Sequence, residues 1–183
     1  MTIKIFHDSY KKVFLFIIFI GGFALLSAYF VEYVMHILPC PLCLYQRIPY
    51  FLLLALASVG FLLKRHCLVK YICYLCAIVF LFGAVISLYH ASIERGIIEE
   101  SLSCSSSSKN TSIDSLRDEI NNNNVPCKDV RFRIAGFSMA EINAMFSFGM
   151  FIYLLFAARK IEDENIKMYE SLERMGIRSN KFN

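Results

Sequence analysis

Charged side chains are scarce in this sequence, and tryptophan is absent. Asp, Glu, Lys and Arg make up 19% of the 183 residues, whereas hydrophobic residues make up 57%. The mean hydropathy is +0.52. A soluble domain of this size could not bury so much apolar surface, so the composition excludes an ordinary soluble fold and indicates a membrane protein. Without tryptophan, Tyr and Phe must form the aromatic belts at the membrane interfaces.

A strong excess of one charge is also lacking. The net charge is +4, and the Lys and Arg residues lie at the ends of apolar runs rather than on one face. This distribution argues against a nucleic-acid partner. No small-residue cleavage site follows the first apolar run, which is also too long for the core of a signal peptide. We therefore expect that run to be a membrane span.

Four apolar runs predict an all-α membrane protein, built as a four-transmembrane-helix bundle. A span needs about 20 residues. The second charge-free run, Ile48 to Leu63, is short and must borrow residues from the segment before it. The predicted spans are residues 13–31, 43–63, 71–89 and 137–158.

Basic residues in the short connecting segments predict the orientation of the bundle. They are Lys4, Lys11, Lys12, Lys64, Arg65, Lys70, Arg159 and Lys160. The positive-inside rule places these segments in the cytoplasm. The N-terminus and the C-terminus are then cytoplasmic, and loops 32–47 and 90–136 face outward. We expect one membrane domain over residues 1–160 and a cytoplasmic tail over residues 161–183.

The second outer loop is polar and low in complexity at two places, residues 105–108 and 121–124, which are typical of flexible connectors. Between them, Ile113, Leu116 and Ile120 share one side of an amphipathic stretch. This pattern predicts a short helix lying on the membrane interface, and an ordinary surface helix is the alternative.

The seven cysteines divide between the compartments that this topology defines. Cys67 is in the inner basic loop, and Cys73 and Cys76 are within the third span. The other four are outside: Cys40, Cys43, Cys104 and Cys127. An even number on the oxidising side is what paired redox chemistry predicts.

The first outer pair is Cys40-Pro41-Leu42-Cys43. Two intervening residues close a small strained ring, which suits a disulfide that opens and reforms. The alternatives are a static disulfide or half of a zinc site. Zinc usually needs four nitrogen or sulfur ligands, and His36 is the nearest candidate. We therefore expect a redox pair and no metal.

The second outer pair, Cys104 and Cys127, encloses 22 residues. A disulfide closing this loop would stabilise the fold by roughly 3 kcal/mol in the usual entropic picture, so a purely structural role stays open. The Ser and Asn tracts within the loop favour a pair that moves between partners.

The motif Cys73-Tyr74-Leu75-Cys76 has the same spacing but lies inside an apolar helix. Cysteines at positions i and i+3 of a helix are poorly placed for a disulfide, and buried cysteine behaves as a small apolar residue. We interpret this motif as packing, and Cys67 in the inner loop as a plain thiol.

Two basic side chains accompany the first pair. Arg47 follows Cys43 by four residues, so on one helix both share a face and the cation would favour the thiolate. Pro49 disfavours helix just before it, and an interfacial anchor is the alternative role for Arg47. His90 falls at the same predicted depth and is a candidate to line a pocket, although a lone interfacial histidine often has no such role.

The stretch Pro39-Cys40-Pro41-Leu42-Cys43-Leu44-Tyr45-Gln46-Arg47 resembles the signature of the bacterial disulfide bond formation protein B (DsbB) family. The order of spans, the short basic loop and the two cysteines of the long outer loop agree with it. The resemblance covers roughly residues 10–160. It implies a multi-pass protein of the bacterial inner membrane whose outward loops face the periplasm.

The resemblance also implies roles for the residues. A periplasmic thioredoxin-fold oxidase similar to DsbA would attack Cys104 of a Cys104–Cys127 disulfide, and Cys127 would then exchange with Cys40. Cys43 would be left as a thiolate facing a membrane quinone, ubiquinone or menaquinone. Arg47 would orient that quinone, and His90 would line its pocket. The chain is thereby identified as a thiol:quinone oxidoreductase.

Other assignments stay open beside this one. Gln46 stands where the family also has an acidic residue, and a DsbI-like subgroup serves dedicated substrates. A vitamin K epoxide reductase-like enzyme would have its loop cysteines before the Cys-x-x-Cys, whereas here they follow it. A membrane scaffold or metal-binding protein with static outer cysteines is the non-enzymatic alternative.

Overall fold

The computed structural model describes residues 2–63, 66–99, 127–128 and 133–174. Four helices in this part are long and apolar enough to cross a membrane: Tyr10–Tyr33, Pro41–Leu62, Leu68–Glu94 and Met139–Lys167. The prediction of a helical bundle with four membrane spans is confirmed. The predicted interfacial helix around residues 113–120 and Cys104 lie outside the described residues, as does the side chain of Cys67.

The helices extend beyond the charge-free runs that revealed them, because such a run marks only the part that lies in hydrocarbon. The helices are α1 (Thr2–Tyr33), α2 (Pro41–Tyr45), α3 (Arg47–Leu62), α4 (His66–Glu94) and α5 (Met139–Arg174). Helix α5 continues through residue 160, and its residues Ile161 and Asn165 are buried. The first part of the predicted tail is therefore a continuation of the fourth span.

The second span is broken at Gln46, which separates α2 from α3. Cys40 is extended (φ −75°, ψ 164°), as expected of a residue before proline, and Pro41 opens α2. The restart at Arg47 places Pro49 in the first turn of α3, where a proline without an N–H breaks no helical hydrogen bond. Pro49 disfavours helix just before it, and in the sequence this conflicted with one continuous second span. The break at Gln46 removes the conflict.

A small antiparallel hairpin precedes α5 and was not predicted. Strands β1 (Arg133–Ile134) and β2 (Phe137–Ser138) pair through a turn in which Ala135 (φ 51°) and Gly136 (φ 88°) are both left-handed. Ser138 and Glu141 then form a reciprocal cap: the Glu141 N–H donates to Ser138 Oγ, and the Ser138 N–H donates to Glu141 Oε2. This cap starts α5 at Met139.

Helices α4 and α5 are antiparallel and are tied at both ends. Lys70 pairs with Glu162 at one end, with Nζ 2.9 Å from Oε1, and Arg95 pairs with Glu141 at the other. Helix α1 packs against α3 at Gly60, where an added Cβ would lie 2.6 Å from the Phe14 ring. Large apolar side chains remain exposed along all four spans, which suits a lipid environment.

Candidate active site

A cavity of about 420 Å³ opens at the end of the bundle where α2 begins. Side chains of α1 form an apolar wall, and polar side chains from α2, α3 and α4 form the opposite end. The apolar wall includes Ile20, Phe23, Ala24, Leu25, Ala28 and Val31. The polar end includes Cys40, Cys43, Gln46, Arg47, His90, Glu94 and Cys127. A volume of this size suits a small organic ligand with one apolar and one polar side.

The first cysteine pair lies at the polar end of the cavity, and both thiols are free. Their Sγ atoms are 2.9 Å apart. Cys40 caps α2, because its Sγ accepts the backbone N–H of Cys43 at 3.3 Å. A disulfide bond needs its sulfurs at about 2.05 Å, so this pair closes to a disulfide with little movement.

The surroundings of Cys40 favour its thiolate. Hydrogen bonding from the Cys43 thiol contributes most, and His90 adds a hydrogen bond and a charge, so the pKa of Cys40 is lowered to about 5 although burial raises it. A thiolate at neutral pH is the reactive form of cysteine in disulfide exchange. The contacts that favour the thiolate in this reduced pair therefore converge on Cys40.

His90 connects the cysteine pair to α4 and α3. It is buried, and its Nε2 lies 3.5 Å from Cys40 Sγ. The same Nε2 lies 3.5 Å from Glu94 Oε1, one helical turn further along α4. Its Nδ1 lies 3.0 Å from the side-chain amide nitrogen of Gln46. His90 thus has a thiol and a carboxylate on one nitrogen and an amide on the other.

Cys127 reaches the same place from the second outer loop. It is buried and disulfide-bonded. Its Sγ, the Cys40 Sγ and a ring nitrogen of His90 all lie within 4.8 Å of one another. The four free thiols of the described residues include Cys40 and Cys43. The structure therefore places a disulfide sulfur of the second pair against the first pair, while the predicted partner Cys104 lies outside the described residues.

Arg47 lines the cavity, but its guanidinium is engaged on the α1 side. Its Nη1 lies 2.6 Å from Glu32 Oε2, and its Cζ is 4.9 Å from the Tyr29 ring centroid. Both charged side chains are largely buried. The turn at Gln46 separates α2, which carries Cys43, from α3, which begins at Arg47, and the effect of Arg47 on the Cys43 thiolate stays a prediction.

Behind Gln46, a polar network continues into the bundle. Asn143 donates to Gln46 Oε1 at 3.4 Å and to Ser87 Oγ at 2.8 Å. Tyr50 donates to Asn143 Oδ1. Polar groups at this depth mark functional surfaces more often than packing. The network depends on the meeting of the second span, α4 and α5, which no local sequence pattern predicts.

The second Cys-x-x-Cys motif lies far from this cavity. Cys73 and Cys76 are free and fully buried in the core between α4 and α5. Cys73 Sγ faces Leu154 O at 3.8 Å, a weak contact. The burial of both residues in the core agrees with packing, and the absence of a redox role stays a prediction.

Reasoning from sequence missed Glu94 at this site, and it also missed a possible metal-binding group. Glu94 is the carboxylate beside His90, and its spacing of four from His90 on a helix was the available signal. In the sequence, His36 is the histidine nearest to the cysteine pair, which favoured a site without metal. The fold instead brings His90 to Cys40 and Cys127, and these three residues could together hold a metal ion.

Comparisons with known proteins agree with this site. A family model described as disulfide bond formation protein DsbB matches residues 10–157. The uncharacterized protein RP370 of Rickettsia prowazekii (strain Madrid E) is 35% identical over 159 residues, which cover 84% of this chain and 91% of the relative. The SPbeta prophage-derived disulfide bond formation protein B of Bacillus subtilis (strain 168) is 32% identical over 84 residues. These residues cover 46% of this chain and 54% of the relative.

No solved structure matches the chain. The match to the family model nevertheless extends over most of the sequence and includes Cys40, Cys43, Arg47, His90 and Cys127. The chain therefore belongs to the DsbB family, as the resemblance predicted, and membership of this family implies a disulfide oxidoreductase role in disulfide bond formation.

Proposed function

We propose that the chain is a dithiol:quinone oxidoreductase that reoxidises a periplasmic DsbA-like thioredoxin-fold oxidase. In the net reaction, a partner dithiol and a quinone become a partner disulfide and a quinol. Two electrons and two protons move from the two thiols to the quinone, so the reaction balances without another oxidant. DsbA-like oxidases have potentials of about −120 mV, and their reoxidation therefore needs a strong acceptor such as a quinone.

One observation carries this proposal. The disulfide sulfur Cys127 lies within 4.8 Å of Cys40 Sγ, and Cys40 Sγ lies 2.9 Å from Cys43 Sγ. Three sulfurs are thus placed in sequence, and the last two border an apolar cavity. Disulfide exchange requires an attacking sulfur next to a disulfide, and this row supplies one at each step.

The proposed relay starts at the second pair. A thiolate of the partner attacks Cys104, which breaks the Cys104–Cys127 bond and releases Cys127 as a thiolate. Cys127 then attacks Cys40 of the oxidised first pair, so the Cys40–Cys43 bond breaks and Cys43 leaves as a thiolate at the cavity. The second thiol of the partner next attacks the partner sulfur that is bonded to Cys104. This step forms the partner's disulfide and releases Cys104 as a thiolate. Cys104 then attacks Cys127, restores their disulfide and leaves Cys40 and Cys43 reduced.

The reduced first pair then loses two protons as its electrons leave, and His90 is placed to take one. Its Nε2 is 3.5 Å from Cys40 Sγ and equally far from Glu94 Oε1. A protonated His90 would be stabilised by the Glu94 carboxylate, whose Oε2 is buried without a hydrogen-bond partner among the described residues. The pair therefore offers a base at the sulfur and a counter-charge behind it.

The cavity fits a quinone by its chemistry. Bound there, the quinone would supply the two-electron acceptor. The apolar wall of α1 suits an isoprenoid tail, and the polar end offers Arg47, Gln46 and His90 as partners for the ring oxygens. We propose that Arg47, held by Glu32 at 2.6 Å, orients the ring and favours negative charge on it.

We further propose that the protein is in a bacterial inner membrane with both termini in the cytoplasm. The basic residues at the end of the bundle away from the cavity support this orientation, among them Lys11, Lys70 and Arg159. In a Cys40 variant, Cys43 is the single free thiol of the cavity. A membrane-impermeant thiol reagent added to intact spheroplasts should then label Cys43. Labelling only after the cytoplasmic side is opened would contradict the orientation.

The main experiment is quinone reduction by purified protein supplied with a reduced DsbA-like oxidase. We expect stoichiometric quinol and oxidised partner, and a trapped partner–Cys104 mixed disulfide, with Cys127 released as a thiolate, when the partner lacks the second cysteine of its dithiol. The matched control is Cys67→Ser, which removes a thiol outside the proposed relay. Full quinone reduction by Cys104→Ser with the same partner would overturn the relay, and a lack of quinone reduction by the parent protein would overturn the function.

A further inference from the structure

We infer that the fully reduced protein holds a Zn²⁺ site made of Cys40, Cys43, Cys127 and His90. The site would be absent while Cys127 is in a disulfide and would form once all three cysteines are thiols. Three sulfurs and one imidazole nitrogen are a ligand set that zinc favours in closed, four-coordinate sites. The site does not depend on the proposed quinone chemistry, because any reductant that opens the disulfide would create it.

The distances agree with a tetrahedral metal. Zn–S bonds of about 2.3 Å and Zn–N bonds of about 2.0 Å separate two sulfur ligands by about 3.8 Å, and a sulfur from a nitrogen by about 3.5 Å. Cys40 Sγ and His90 Nε2 are already 3.5 Å apart. Cys40 and Cys43 would open from 2.9 Å, and Cys127 would close from within 4.8 Å. The Cys40–Cys43 and Cys40–Cys127 adjustments are each about 1 Å, and the Cys43 side chain would in addition turn towards Cys127 and His90.

The environment of His90 also suits a metal ligand. A histidine that binds metal through one nitrogen usually donates its other N–H to an oxygen, which fixes the ring. Gln46 places its side-chain amide 3.0 Å from Nδ1, and its amide oxygen and nitrogen exchange places when the amide turns over. With the oxygen towards Nδ1, Gln46 accepts that N–H, gives up its long 3.4 Å contact with Asn143, and leaves the Nε2 lone pair directed at Cys40.

Burial and charge favour a tight site. Cys40, His90 and Cys127 are all buried, so a bound ion would be shielded from water. Glu94 lies beside His90 Nε2 at 3.5 Å, and its carboxylate adds attraction for a divalent cation. On binding, the thiols that are still protonated release their protons, and no bond is oxidised or reduced.

A bound zinc ion would block the electron path of the proposed function. Cys40 and Cys43 could not form their disulfide while both sulfurs coordinate the metal, and Cys127 could not attack Cys40. Zinc would therefore inhibit only the enzyme in which all the relay thiols are reduced, which accumulates when the electron acceptor runs short. The oxidised enzyme would be insensitive.

The direct test is metal binding by the purified full-length protein in detergent, without quinone or partner. Protein reduced anaerobically with a phosphine, and untreated oxidised protein, are titrated with Zn²⁺, and with Co²⁺ as a spectroscopic probe. We expect one ion per reduced chain, a tetrahedral Co²⁺ spectrum with the charge-transfer intensity of three thiolates, and no such site in the oxidised protein. Equal binding by the oxidised form, or a wild-type spectrum with two or four thiolates, would overturn the site.

Variants separate this site from incidental thiol binding. Cys127→Ser should lower the charge-transfer intensity to two thiolates, and it and His90→Ala should each weaken Zn²⁺ binding by at least about tenfold. The matched controls are the double variant Cys73→Ala/Cys76→Ala and His36→Asn, which should bind as the parent does. Loss of the ion in the double variant, or unchanged binding in Cys127→Ser and His90→Ala, would contradict the assignment. Because these measurements need no turnover, they stand or fall apart from the proposed function.

Discussion

The chain contains two Cys-x-x-Cys motifs with identical spacing and very different surroundings. Cys40 and Cys43 flank the start of α2 and border a cavity, whereas Cys73 and Cys76 lie within α4 and are fully buried in the core. The two sulfurs of the first pair contact each other, and Cys40 Sγ also contacts His90. In the second pair, Cys73 Sγ faces a backbone carbonyl of α5. Spacing alone therefore does not define a redox site.

The difference starts with the backbone. Pro41 forces Cys40 into an extended conformation just outside α2, which turns its Sγ back towards Cys43. No proline interrupts α4 near Cys73, so that pair keeps the i, i+3 geometry of a helix, in which a disulfide is disfavoured. The second difference is polarity: the first pair has an imidazole and a carboxylate nearby, and the second has apolar neighbours. Together these features decide which pair can exchange electrons.

The largest expected effect comes from removing a sulfur of the first motif. Cys40→Ser and Cys43→Ser should each lower quinone reduction to roughly a thousandth of the parent rate or less, because neither variant can form the disulfide that passes electrons. The measurement is quinone absorbance during turnover with a reduced DsbA-like oxidase. A variant of either cysteine that keeps more than a few per cent of the parent rate would place electron transfer elsewhere.

The thiolate character of Cys40 should appear in its reaction with a small alkylating reagent. Lowering a thiol pKa makes the thiolate present down to lower pH, so the rate at Cys40 should stay flat on acidification and fall only as the pH drops through about 5. At pH 6 its thiolate fraction should exceed that of an ordinary thiol roughly three hundredfold.

This profile is measured on reduced, chelator-treated protein by mass spectrometry of the Cys40 peptide. The same peptide in denatured protein is the control, and its rate should fall through the ordinary thiol range near about 8.5. If the folded and denatured profiles coincide, the contacts with Cys43 and His90 do not stabilise the Cys40 thiolate.

The next prediction concerns Arg47. Its ion pair with Glu32 lies at the cavity beside the first motif, whereas the second motif lies far from that cavity. Arg47→Ala should raise the quinone KM about tenfold and change the rate of exchange with the partner dithiol less than about twofold. Glu32→Gln is the matched variant, because it breaks the ion pair and keeps the cation at the cavity. If both variants raise the KM equally, the pair acts by supporting the cavity wall and not by contacting the quinone.

Glu94 should have a smaller effect, since it acts through His90. Glu94→Gln keeps the shape of the side chain and removes the charge, so we expect kcat for quinone reduction to fall about fivefold with the quinone KM unchanged. Glu99→Gln, at an exposed position just beyond α4, is the control and should leave both constants unchanged. A rise in KM without a fall in kcat would show that Glu94 shapes the cavity and does not assist proton removal.

Most of the fold could be read from the sequence because lipid imposes a simple rule on it. Charge-free runs such as 13–31 revealed all four spans, since a backbone in hydrocarbon must satisfy its own hydrogen bonds as a helix. The break at Gln46 follows from Pro41 and Pro49 together, whereas Pro49 alone indicates only that helix is disfavoured just before it. The hairpin turn at 135–136 and the Ser138–Glu141 cap also had readable signals that were overlooked.

The site could be predicted where its residues are close in sequence, or where they lie at the same depth in the membrane, as His90 does. The Cys-x-x-Cys motif identified Cys40 and Cys43, and the resemblance to a family supplied a relay through Cys127. The approach of Cys127 and His90 to Cys40 depends on how α2, α4 and the second outer loop pack, and no local pattern encodes it. The same holds for the network around Asn143, whose partners come from α3 and α4.

The smallest expected effect on turnover, and the sharpest check on the comparison, comes from the second motif. Cys73→Ala, Cys76→Ala and the double variant should keep the quinone reduction rate within about twofold of the parent, because electron flow does not reach these sulfurs. Each single change should instead lower the free energy of unfolding by about 1 kcal/mol, since it leaves a small cavity between α4 and α5.

The two losses should not add in the double variant, because the sulfurs are neighbours on one face of α4 and share the space they leave. Thermal unfolding in detergent, followed beside turnover at a temperature well below the transition, separates the two effects. A variant with parental stability and strongly reduced turnover would bring the second motif into the relay. If a variant has reduced stability and parental turnover, the motif within α4 serves packing. The same spacing at the start of α2 then serves electron transfer.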